Sequence, residues 1–467
     1  MKNKARLTVG VLPLARPTFD VPYAEERAAA MFAALERSGH RLSGSRELLF
    51  DAAAAQRALA LLVSEKPDRV LILQVTFTDA AMAVEIAGSF ASPVAIWAIP
   101  EPRLGGRLRL NAFCGLNLAA HALGVTGKAF GYLYAAPEAK DIGKALDELL
   151  AGGRDSAPRE LRPAIEANIE GAEAVAAMRG ARIGRIGERP AGFHTCDYDP
   201  GRLSELADVR VERIDLTDFF ARAKRVPRTK VAVERAAAAA VAGGLDAVDQ
   251  AELDRSLRLR AALAGMRDEG RYDAFAIRCW PETFTEYGGA VCGPVSMMGE
   301  RRIPCACEAD VYGALTTLLL QKIADQPAFL ADLVDIDIAD DTGVVWHCGQ
   351  APASMMEPTF KARATIHTNR KMPLLFEFPL KGGRVTFFRV SQARGRVSAV
   401  IGGGEMLARP MAFTGTSGVV RFDAGARSVL AAIMDGALEH HLALAYGDHR
   451  ATLESAAHAL GIPVFDL

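Results

Sequence analysis

Residues 303–315 read IPCACEADVYGAL, an apolar strand-like run that passes through an acidic turn directly into a helical run. Glu308 lies at this junction, where free backbone N–H groups favour an ionised carboxylate and suit it to act as a metal ligand or base. A helix-capping acid would occupy the same position, and from Glu308 alone the two interpretations are equally good. Asp310, two positions further on, is the better candidate for the helix cap.

Outward from this junction, the chain alternates apolar strand-like runs with amphipathic helical runs. The first 150 residues contain strand candidates at 7–14, 69–75, 93–99 and 129–134 and helix candidates at 23–38, 52–65, 79–87 and 141–150. Beyond Arg182 a second such pattern begins, with strand candidates at 183–186, 209–214 and 272–282. This alternation is typical of parallel sheets covered by helices, so we expect two doubly wound α/β domains.

From about residue 343 the pattern changes to short β-prone segments separated by Gly-rich or charged turns. These segments lie at 344–347, 364–368, 374–378, 384–391 and 396–401, and such short strands indicate a mainly antiparallel module. A chain of 467 residues exceeds the size of one hydrophobic core. We therefore predict an N-terminal α/β domain at 1–155, a second α/β domain at 156–325 and a β-rich C-terminal domain at 326–467.

The composition argues against several classes of protein. Lys and Arg number 55 against 56 Asp and Glu, without a long block of like charge, so we expect no nucleic-acid and no anionic-membrane partner. No apolar run approaches the ~20 residues needed to span a bilayer, and the basic N-terminus leads into a strand-like run interrupted by Pro13. The seven cysteines do not predict a disulfide framework. We expect a cytoplasmic protein.

Further candidates for metal ligands follow Glu308 in the sequence. Asp332 ends an apolar run, with Asp335 as its rival, and His441 directly precedes an apolar run, with His440 as its rival. Two carboxylates and an imidazole are the ligand types that hold a borderline divalent ion such as Mn²⁺ in an open site, where a substrate's oxygens can complete the shell.

Taken together, these segments resemble the L-fucose isomerase and L-arabinose isomerase superfamily. Residues 303–316 are similar to the family segment that places a Glu ligand at the head of a helix, and residues 329–332 to the segment whose Asp is the second carboxylate. Residues 439–447 look like the late segment with the His ligand. The resemblance implies a Mn²⁺ site, with Co²⁺ or Mg²⁺ as alternatives, held by Glu308, Asp332 and His441.

The resemblance also implies residues that contact a sugar. Arg16, in an early Arg-Pro, would bind sugar in the site of a neighbouring subunit, or else cap the surface. Trp280 would stack on the sugar's C–H surface, and Glu282 would hydrogen-bond the sugar or replace Asp332 as ligand. His347 would bind the metal, as in the arabinose branch, or donate to the substrate. The expected assembly is a homo-oligomer, a tetramer or hexamer, with sites shared between subunits.

The activity that the resemblance implies is aldose–ketose isomerisation of a free pentose or (deoxy)hexose through a cis-enediolate stabilised by the metal. Glu308 would move the carbon-bound proton and Asp332 the hydroxyl proton. No organic cofactor is expected, because the glycine run 402–404 lacks the Lys and Ser/Thr of a phosphate-binding loop. The sequence leaves open a non-catalytic sugar-binding or sensor protein, and a metal-dependent epimerase or aldol-type cleavage enzyme.

Overall fold

The computed structural model describes residues 6–467, and its first layer is a parallel sheet of five strands. The strands are β1 (Thr8–Leu14), β2 (Arg41–Gly44), β3 (Arg69–Gln74), β4 (Val94–Ala98) and β5 (Phe130–Tyr134). They lie in the order β2-β1-β3-β4-β5. The helices around them are α1 (Val21–Arg37), α2 (Ala52–Glu65), α3 (Ala81–Gly88), α4 (Ala112–Val125) and α5 (Ile142–Leu150). Every residue of β3 and β4 is buried, as expected for strands covered on both faces.

A second parallel sheet follows, with strands β6 (Arg182–Ile186), β7 (Arg210–Ile214), β9 (Ala274–Ile277) and β10 (Cys305–Ala306) in the order β10-β9-β6-β7. A two-residue strand between them, β8 (Ala242–Gly243), pairs instead with the C-terminal sheet. The helices are α6 (Glu170–Ala176), α7 (Pro200–Ala207), α8 (Leu216–Lys224), α9 (Arg228–Val241), α10 (Gln250–Gly270), α11 (Cys292–Glu300) and α12 (Val311–Ala324). Short helical turns lie at His194–Cys196, Leu245–Ala247, Thr283–Tyr287 and Cys307–Ala309.

The C-terminal part is built around a closed antiparallel barrel. Its strands are β11 (Phe329–Asp337), β12 (Thr342–His347), β15 (Gly383–Ser391), β16 (Ser398–Leu407), β17 (Thr416–Phe422) and β18 (His441–Tyr446). The ring of pairings runs β16-β15-β18-β11-β12-β17 and back to β16, so these six strands leave no open edge. The strands β13 (Ala362–Thr365), β14 (Leu375–Pro379) and β19 (Val464–Asp466), the helices α13 (Ala426–Gly436) and α14 (Arg450–Ala459), and the turns Ala353–Met355 and Ala393–Gly395 complete the fold.

These three sheets confirm the predicted fold class of two parallel α/β sheets followed by a mainly antiparallel module. Local sequence explains several helix starts, because an aspartate at the N-cap accepts a backbone N–H of the first turn. The residues that do so are Asp20, Asp51, Asp199, Asp249 and Asp310. The cap predicted at Asp310 is therefore confirmed. The boundaries of the three domains stay a prediction.

Helix α4 joins the first sheet to the barrel. Asn117 Nδ2 donates to the carbonyl of Leu438 at 2.7 Å, and His121 Nδ1 lies 2.9 Å from the carbonyl oxygen of Ala437. A Cβ added at Gly124 would lie 2.4 Å from that of Ala437, so only glycine permits this approach. The contact fixes the chain just before β18. In the part of the chain that the structure describes, no helix is both long and apolar enough to cross a membrane.

Candidate active site

A pocket opens where the carboxyl ends of both parallel sheets face the barrel. Ligands gather at this edge in open α/β sheets, since the loops that follow the strands meet there. The pocket is lined from the first sheet by Arg16 and Phe77, from the second by Trp280 and Glu308, and from the barrel by Asp332, His347 and His440. The two α/β sheets and the barrel thus contribute to one site.

Glu308 is held in a fixed orientation. It lies in the turn Cys307–Ala309 with φ 59°, and Ala309 follows with φ 55°, a backbone conformation that costs about 1–3 kcal/mol per residue. Trp280 Nε1 donates to one carboxylate oxygen at 3.0 Å, and His440 Nε2 lies 3.0 Å from the other. Burial raises the pKa of Glu308, but the hydrogen bond and charge of His440 bring it below its usual value. Glu308 is therefore ionised and oriented.

Asp332 and His441 both lie near Glu308, Asp332 in the lining of the same pocket and His441 outside that lining. They are directly paired across β11 and β18, which directs both side chains to one face. His441 Nε2 lies 3.4 Å from Asp332 Oδ1 and 4.0 Å from Glu308 Oε2. Ligand atoms about 2.1 Å from an octahedral ion are about 3 Å apart when adjacent and about 4.2 Å when opposite. Among the described residues, the groups of three whose ligand atoms all lie within 4.8 Å of one another include Glu308 with His440 and His441, and Asp332 with His347 and His441, but not Glu308 with Asp332 and His441. The spacing therefore fits an ion beside His441, and the set of Glu308, Asp332 and His441 stays a prediction.

The buried polar atoms also fit a divalent ion. Asp332 Oδ1 is buried and has no hydrogen-bond partner among residues 6–467. A buried carboxylate oxygen left in that state is costly unless a ligand satisfies it. The atom points to the same space as His441 Nε2. The donor set of two carboxylates and one imidazole matches the oxygen and nitrogen ligands that Mn²⁺ accepts.

A buried network orients His441. Its Nδ1 lies 2.9 Å from Asp310 Oδ2, and Arg389 donates to both oxygens of Asp310 at 2.5 and 3.1 Å. Burial raises the pKa of Asp310, but Arg389 and the hydrogen bond from His441 hold it well below its usual range. An ionised Asp310 keeps the proton of His441 on Nδ1, so the lone pair of Nε2 is free to bind a metal. Burial and the nearby His440 lower the pKa of His441, which favours this neutral form.

His347 lies beside this group at the end of β12. Its ring stacks on that of His441 with centroids 5.9 Å apart. Nδ1 accepts the backbone N–H of Cys348 at 2.9 Å and lies 3.1 Å from Nε2 of Gln350. Burial lowers the pKa of His347, but the charges of Cys348 and Asp332 raise it overall to about 10. Nε2 carries a proton both in the charged ring and in the neutral tautomer whose Nδ1 accepts, and this atom is buried and has no partner within the described residues. Although one atom each of Asp332, His347 and His441 lie within 4.8 Å of one another, the proton on Nε2 favours donation to a substrate oxygen over metal binding.

His440 also reaches the site, although the sequence favoured His441. Burial lowers the pKa of His440, but its hydrogen bond to Glu308 and the charge of that carboxylate raise it overall. The rings of His440 and His441 lie 3.9 Å apart. His440 immediately precedes β18, so the alternation of side chains along the strand does not yet apply to it. The assignment of His441 as the ligand stays a prediction.

The mouth of the pocket is rich in arginine. Arg16 lies 5.4 Å and Arg370 5.6 Å from the ring of Trp280. Arg16 is paired with Asp79 at 2.6 Å, whereas no carboxylate in residues 6–467 pairs with Arg370. Burial and the charge of Arg16 lower the pKa of Arg370. The indole N–H of Trp280 thus donates to Glu308, and the guanidinium groups of Arg16 and Arg370 lie near the indole ring.

Two residues considered from the sequence are not brought to the pocket. Both carboxylate oxygens of Glu282 accept hydrogen bonds from Arg278 at 2.6 Å, and Glu282 is absent from the pocket lining. Asp335, the rival of Asp332, accepts hydrogen bonds from Tyr134 at 2.5 Å and Arg103 at 2.6 Å. A bulge after Leu333 interrupts the alternation of β11 and separates the two aspartates.

The position of Arg16 corrects one expectation. The early segment was expected not to reach the metal site of its own chain, so that the site would be shared between subunits. Arg16 in fact lines the same pocket as Glu308, because β1 ends at the sheet edge that faces the barrel. Its backbone N–H is fixed there by Thr76 Oγ1 at 2.8 Å. Sharing of sites between subunits stays a prediction, but the position of Arg16 no longer supports it.

Comparison with known proteins gives the ancestry of the chain. The profile of the fucose/sulfoquinovose isomerase N-terminal domain matches residues 10–156, and that of the L-fucose isomerase C-terminal domain matches residues 345–467. A sulfoquinovose isomerase of Alkalicoccus urumqiensis is 29% identical over 462 residues, 99% of this chain and 99% of the relative. One from Priestia aryabhattai is 30% identical over 444 residues, 94% of this chain and 95% of the relative.

The chain belongs to the fucose isomerase family. This confirms the resemblance that residues 303–316, 329–332 and 439–447 indicated. As a member of the fucose isomerase family, the chain is a sugar isomerase that interconverts an aldose and a ketose. The matched domains contain Arg16 and Arg370 at the mouth of the pocket, and the alignments with whole relatives extend across nearly the whole chain.

Sequence reasoning missed the pocket residues between β13 and β14. His367, Asn369 and Arg370 all line the pocket, and Asn369 accepts a hydrogen bond from Arg107 at 2.9 Å. The available signal was a polar run, TNRK at 368–371, between two β-prone segments. Such a run is usually a solvated turn, so only its packing against the first domain distinguishes it. The role of Trp280 as a donor to Glu308 was also missed.

Proposed function

We propose that the chain is a metal-dependent isomerase of an aldose that carries an anionic group at the end remote from its aldehyde, with sulfoquinovose as the specific substrate. The observation that carries the proposal is the guanidinium of Arg370, which faces Arg16 without a carboxylate partner among the described residues. A partly buried cation without a partner is costly, so it favours an anionic ligand.

The wider charge balance at the mouth supports an anion. Within residues 6–467, Arg107, adjacent to the pocket, donates only to neutral oxygens, namely Asn369 Oδ1 and the carbonyl of Thr18, both at 2.9 Å. With Arg16, Arg107 and Arg370 set against Asp79, positive charge is in excess. A neutral sugar would leave that charge unpaired, whereas the three oxygens of a sulfonate can accept from guanidinium groups in pairs. Relatives that are named sulfoquinovose isomerases support the same substrate. A further one, from Clostridium sp. strain MSTE9, is 29% identical over 459 residues, 97% of this chain and 97% of the relative.

The other end of the pocket would hold the metal. Glu308, Asp332 and His441 are the proposed ligands of Mn²⁺, with Co²⁺ or Mg²⁺ as alternatives. When bound, the ion would polarise the carbonyl group and offset the negative charge that develops as the carbon-bound proton leaves. The indole of Trp280 links the two ends, since it touches Glu308 at one edge and lies near Arg16 and Arg370.

The residues of the chain would carry out the proton transfers. Glu308, kept ionised and oriented by Trp280 and His440, would move the proton between C2 and C1 through a cis-enediolate. Asp332 would move the hydroxyl proton between O1 and O2. The Nε2–H of His347 would donate to a substrate oxygen. Positioned groups of this kind contribute about 10²–10⁴-fold each.

NMR of sulfoquinovose incubated with the protein and Mn²⁺ in D₂O tests the proposal. We expect a ketose product and deuterium at C2 of the recovered aldose; EDTA should stop both, and added Mn²⁺ should restore them. Turnover by a preparation shown to be free of metal would contradict the metal dependence. A C2 epimer, chain cleavage or binding without turnover would favour an epimerase, an aldol-type enzyme or a sugar sensor instead.

We also propose a homo-oligomer, a tetramer or hexamer, whose pockets are built mainly within each subunit. The proposal is supported by Arg16, Glu308 and Asp332 lining one pocket of a single chain. Light scattering of the active protein would give the mass. Mixing R16A subunits with E308Q subunits should restore little activity, because neither parent chain contains a complete pocket. Strong recovery after proven subunit exchange would instead favour shared sites.

A further inference from the structure

Four of the seven cysteines lie in the wall of the pocket, and the proposed isomerisation uses none of them. They are Cys279, Cys292, Cys307 and Cys348. They come from four separate places in the fold, namely the end of β9, the start of α11, and the segments after β10 and β12. Thiols that face a pocket open to small solutes can meet oxidants that fully enclosed thiols do not.

Cys292 and Cys348 form a close pair in this wall. Their Sγ atoms lie 3.6 Å apart, about 1.5 Å beyond a disulfide bond. Cys292 is the first residue of α11, and Cys348 follows the last residue of β12. Cys348 is partly exposed, while Cys292 is buried beneath it. Small side-chain rotations could therefore bring the two sulfurs into bonding distance.

We propose that Cys292 and Cys348 are a redox-sensitive modification site that hydroperoxides convert to a reversible disulfide. The sulfur of the partly exposed Cys348 attacks the hydroperoxide, the O–O bond breaks, and the thiol proton leaves with the alcohol or water that is released. The resulting sulfenic acid is attacked by the sulfur of Cys292, the S–O bond breaks, and water leaves with the second thiol proton. One hydroperoxide is reduced and two thiols are oxidised to one disulfide.

The disulfide would disturb the catalytic end of the pocket through His347. The backbone N–H of Cys348 donates to His347 Nδ1 at 2.9 Å, and the Cys348 sulfur lies 3.4 Å from the same nitrogen. Gln350 Nε2 contacts that nitrogen and, at 3.0 Å, the sulfur of Cys307, the residue before Glu308. Drawing Cys348 toward Cys292 therefore shifts a ring that the site requires in a fixed tautomer. Misplacement of a catalytic group by about 1 Å can cost up to about 10²-fold in rate.

Peptide mass spectrometry of the full chain treated with hydrogen peroxide tests the proposal directly. The proposal expects a cross-linked peptide that joins residues 292 and 348, and its disappearance on treatment with dithiothreitol. This measurement does not depend on the identity of the sugar. Absence of the cross-link from protein whose thiols have been oxidised would overturn the proposal.

Variants then connect the disulfide to activity. The oxidised rate of each protein is divided by its own reduced rate, so that any basal effect of the substitution cancels. Wild type should lose about tenfold or more in rate and recover with dithiothreitol, and so should C305S, whose sulfur lies outside this pocket and contacts the carbonyl of Ile303. C292S should lose much less than wild type under mild peroxide. Equal, reversible loss by C292S would overturn the role of the pair.

Discussion

The two ends of the pocket differ in how their charges are balanced. At the end proposed to bind the metal, Asp310 and His441 are buried, Glu308 is partly buried, and each of the three is held by hydrogen bonds. At the mouth, Arg370 is only partly buried and has no acidic partner within residues 6–467. Hydrogen bonds within the protein already orient the side chains at the first end. At the mouth, the positive charge of Arg370 is left for a ligand to neutralise. Chemistry and substrate choice therefore depend on different residues.

The largest effect should follow loss of the proposed base. E308Q keeps the shape of the side chain but removes its charge, so we expect kcat to fall by about 10²–10⁴-fold or more. E282Q is the matched control, because Glu282 bonds Arg278 outside the pocket. Its kcat should stay within about threefold of wild type, as expected for loss of a partly exposed ion pair. Comparable losses of kcat in E308Q and E282Q would show that the loss is not specific to Glu308, and would contradict its proposed role as the base.

A smaller effect should follow loss of the residue that positions His441. D310N leaves the proposed ligands in place but removes the charge that fixes the proton on His441 Nδ1. We expect Mn²⁺ affinity, measured by calorimetry, to fall by about 10–100-fold. D199N is the matched control, since Asp199 caps α7 outside the pocket. A D310N protein that binds Mn²⁺ as tightly as D199N would contradict a positioning role.

At the mouth, the effect should appear in KM and should depend on the substrate. R370A should raise KM for sulfoquinovose about 10–100-fold, as expected for loss of a hydrogen bond to a charged group. Isomerisation of glucose, which lacks the sulfonate, should change little. R409A is a surface control, because Arg409 pairs with Asp340 away from the pocket. Equal effects of R370A on both sugars would show that this arginine does not recognise the anion.

The smallest effect concerns pH. Because the pKa of Asp310 is lower in the folded protein than its ordinary value, its ion pair with Arg389 stabilises the fold above the ordinary carboxylate pKa of about 3.9. That contribution is lost as pH falls through the folded pKa. The difference in urea midpoint between wild type and D310N should be constant from about pH 8 to about pH 5 and shrink below about pH 4. If the difference in urea midpoint already changes near neutral pH, titration of the histidines rather than of Asp310 would explain the pH dependence.

The sequence indicated the residues that lie together at the proposed metal-binding end better than those at the mouth, for a physical reason. Glu308, Asp332 and His441 each lie beside a strand whose apolar pattern is readable locally, and one strand pairing brings Asp332 and His441 together. Arg370 lies on a polar turn, and its place in the pocket depends on contacts between the C-terminal module and the first domain, such as that of Arg107 with Asn369. Local patterns carry no information about such contacts.

The same limit explains two further outcomes. The route of Arg16 into the pocket of its own chain depends on how the first sheet faces the barrel, which no local pattern encodes. His440 reaches Glu308 because it stands one residue before β18, where strand alternation gives no phase. The fold class, in contrast, follows from periodicity along each segment, and the three sheets confirm it.

The ratio of kcat/KM for sulfoquinovose to that for glucose, measured on the Mn²⁺-loaded protein, tests the central claim most directly. The two sugars share the aldehyde end and differ at the remote end, so the ratio isolates the contribution of the arginine-rich mouth. We predict a preference of about 10²-fold or more for sulfoquinovose, since the site's charged groups are left unpaired by glucose. A ratio near one, or a preference for glucose, would contradict the account.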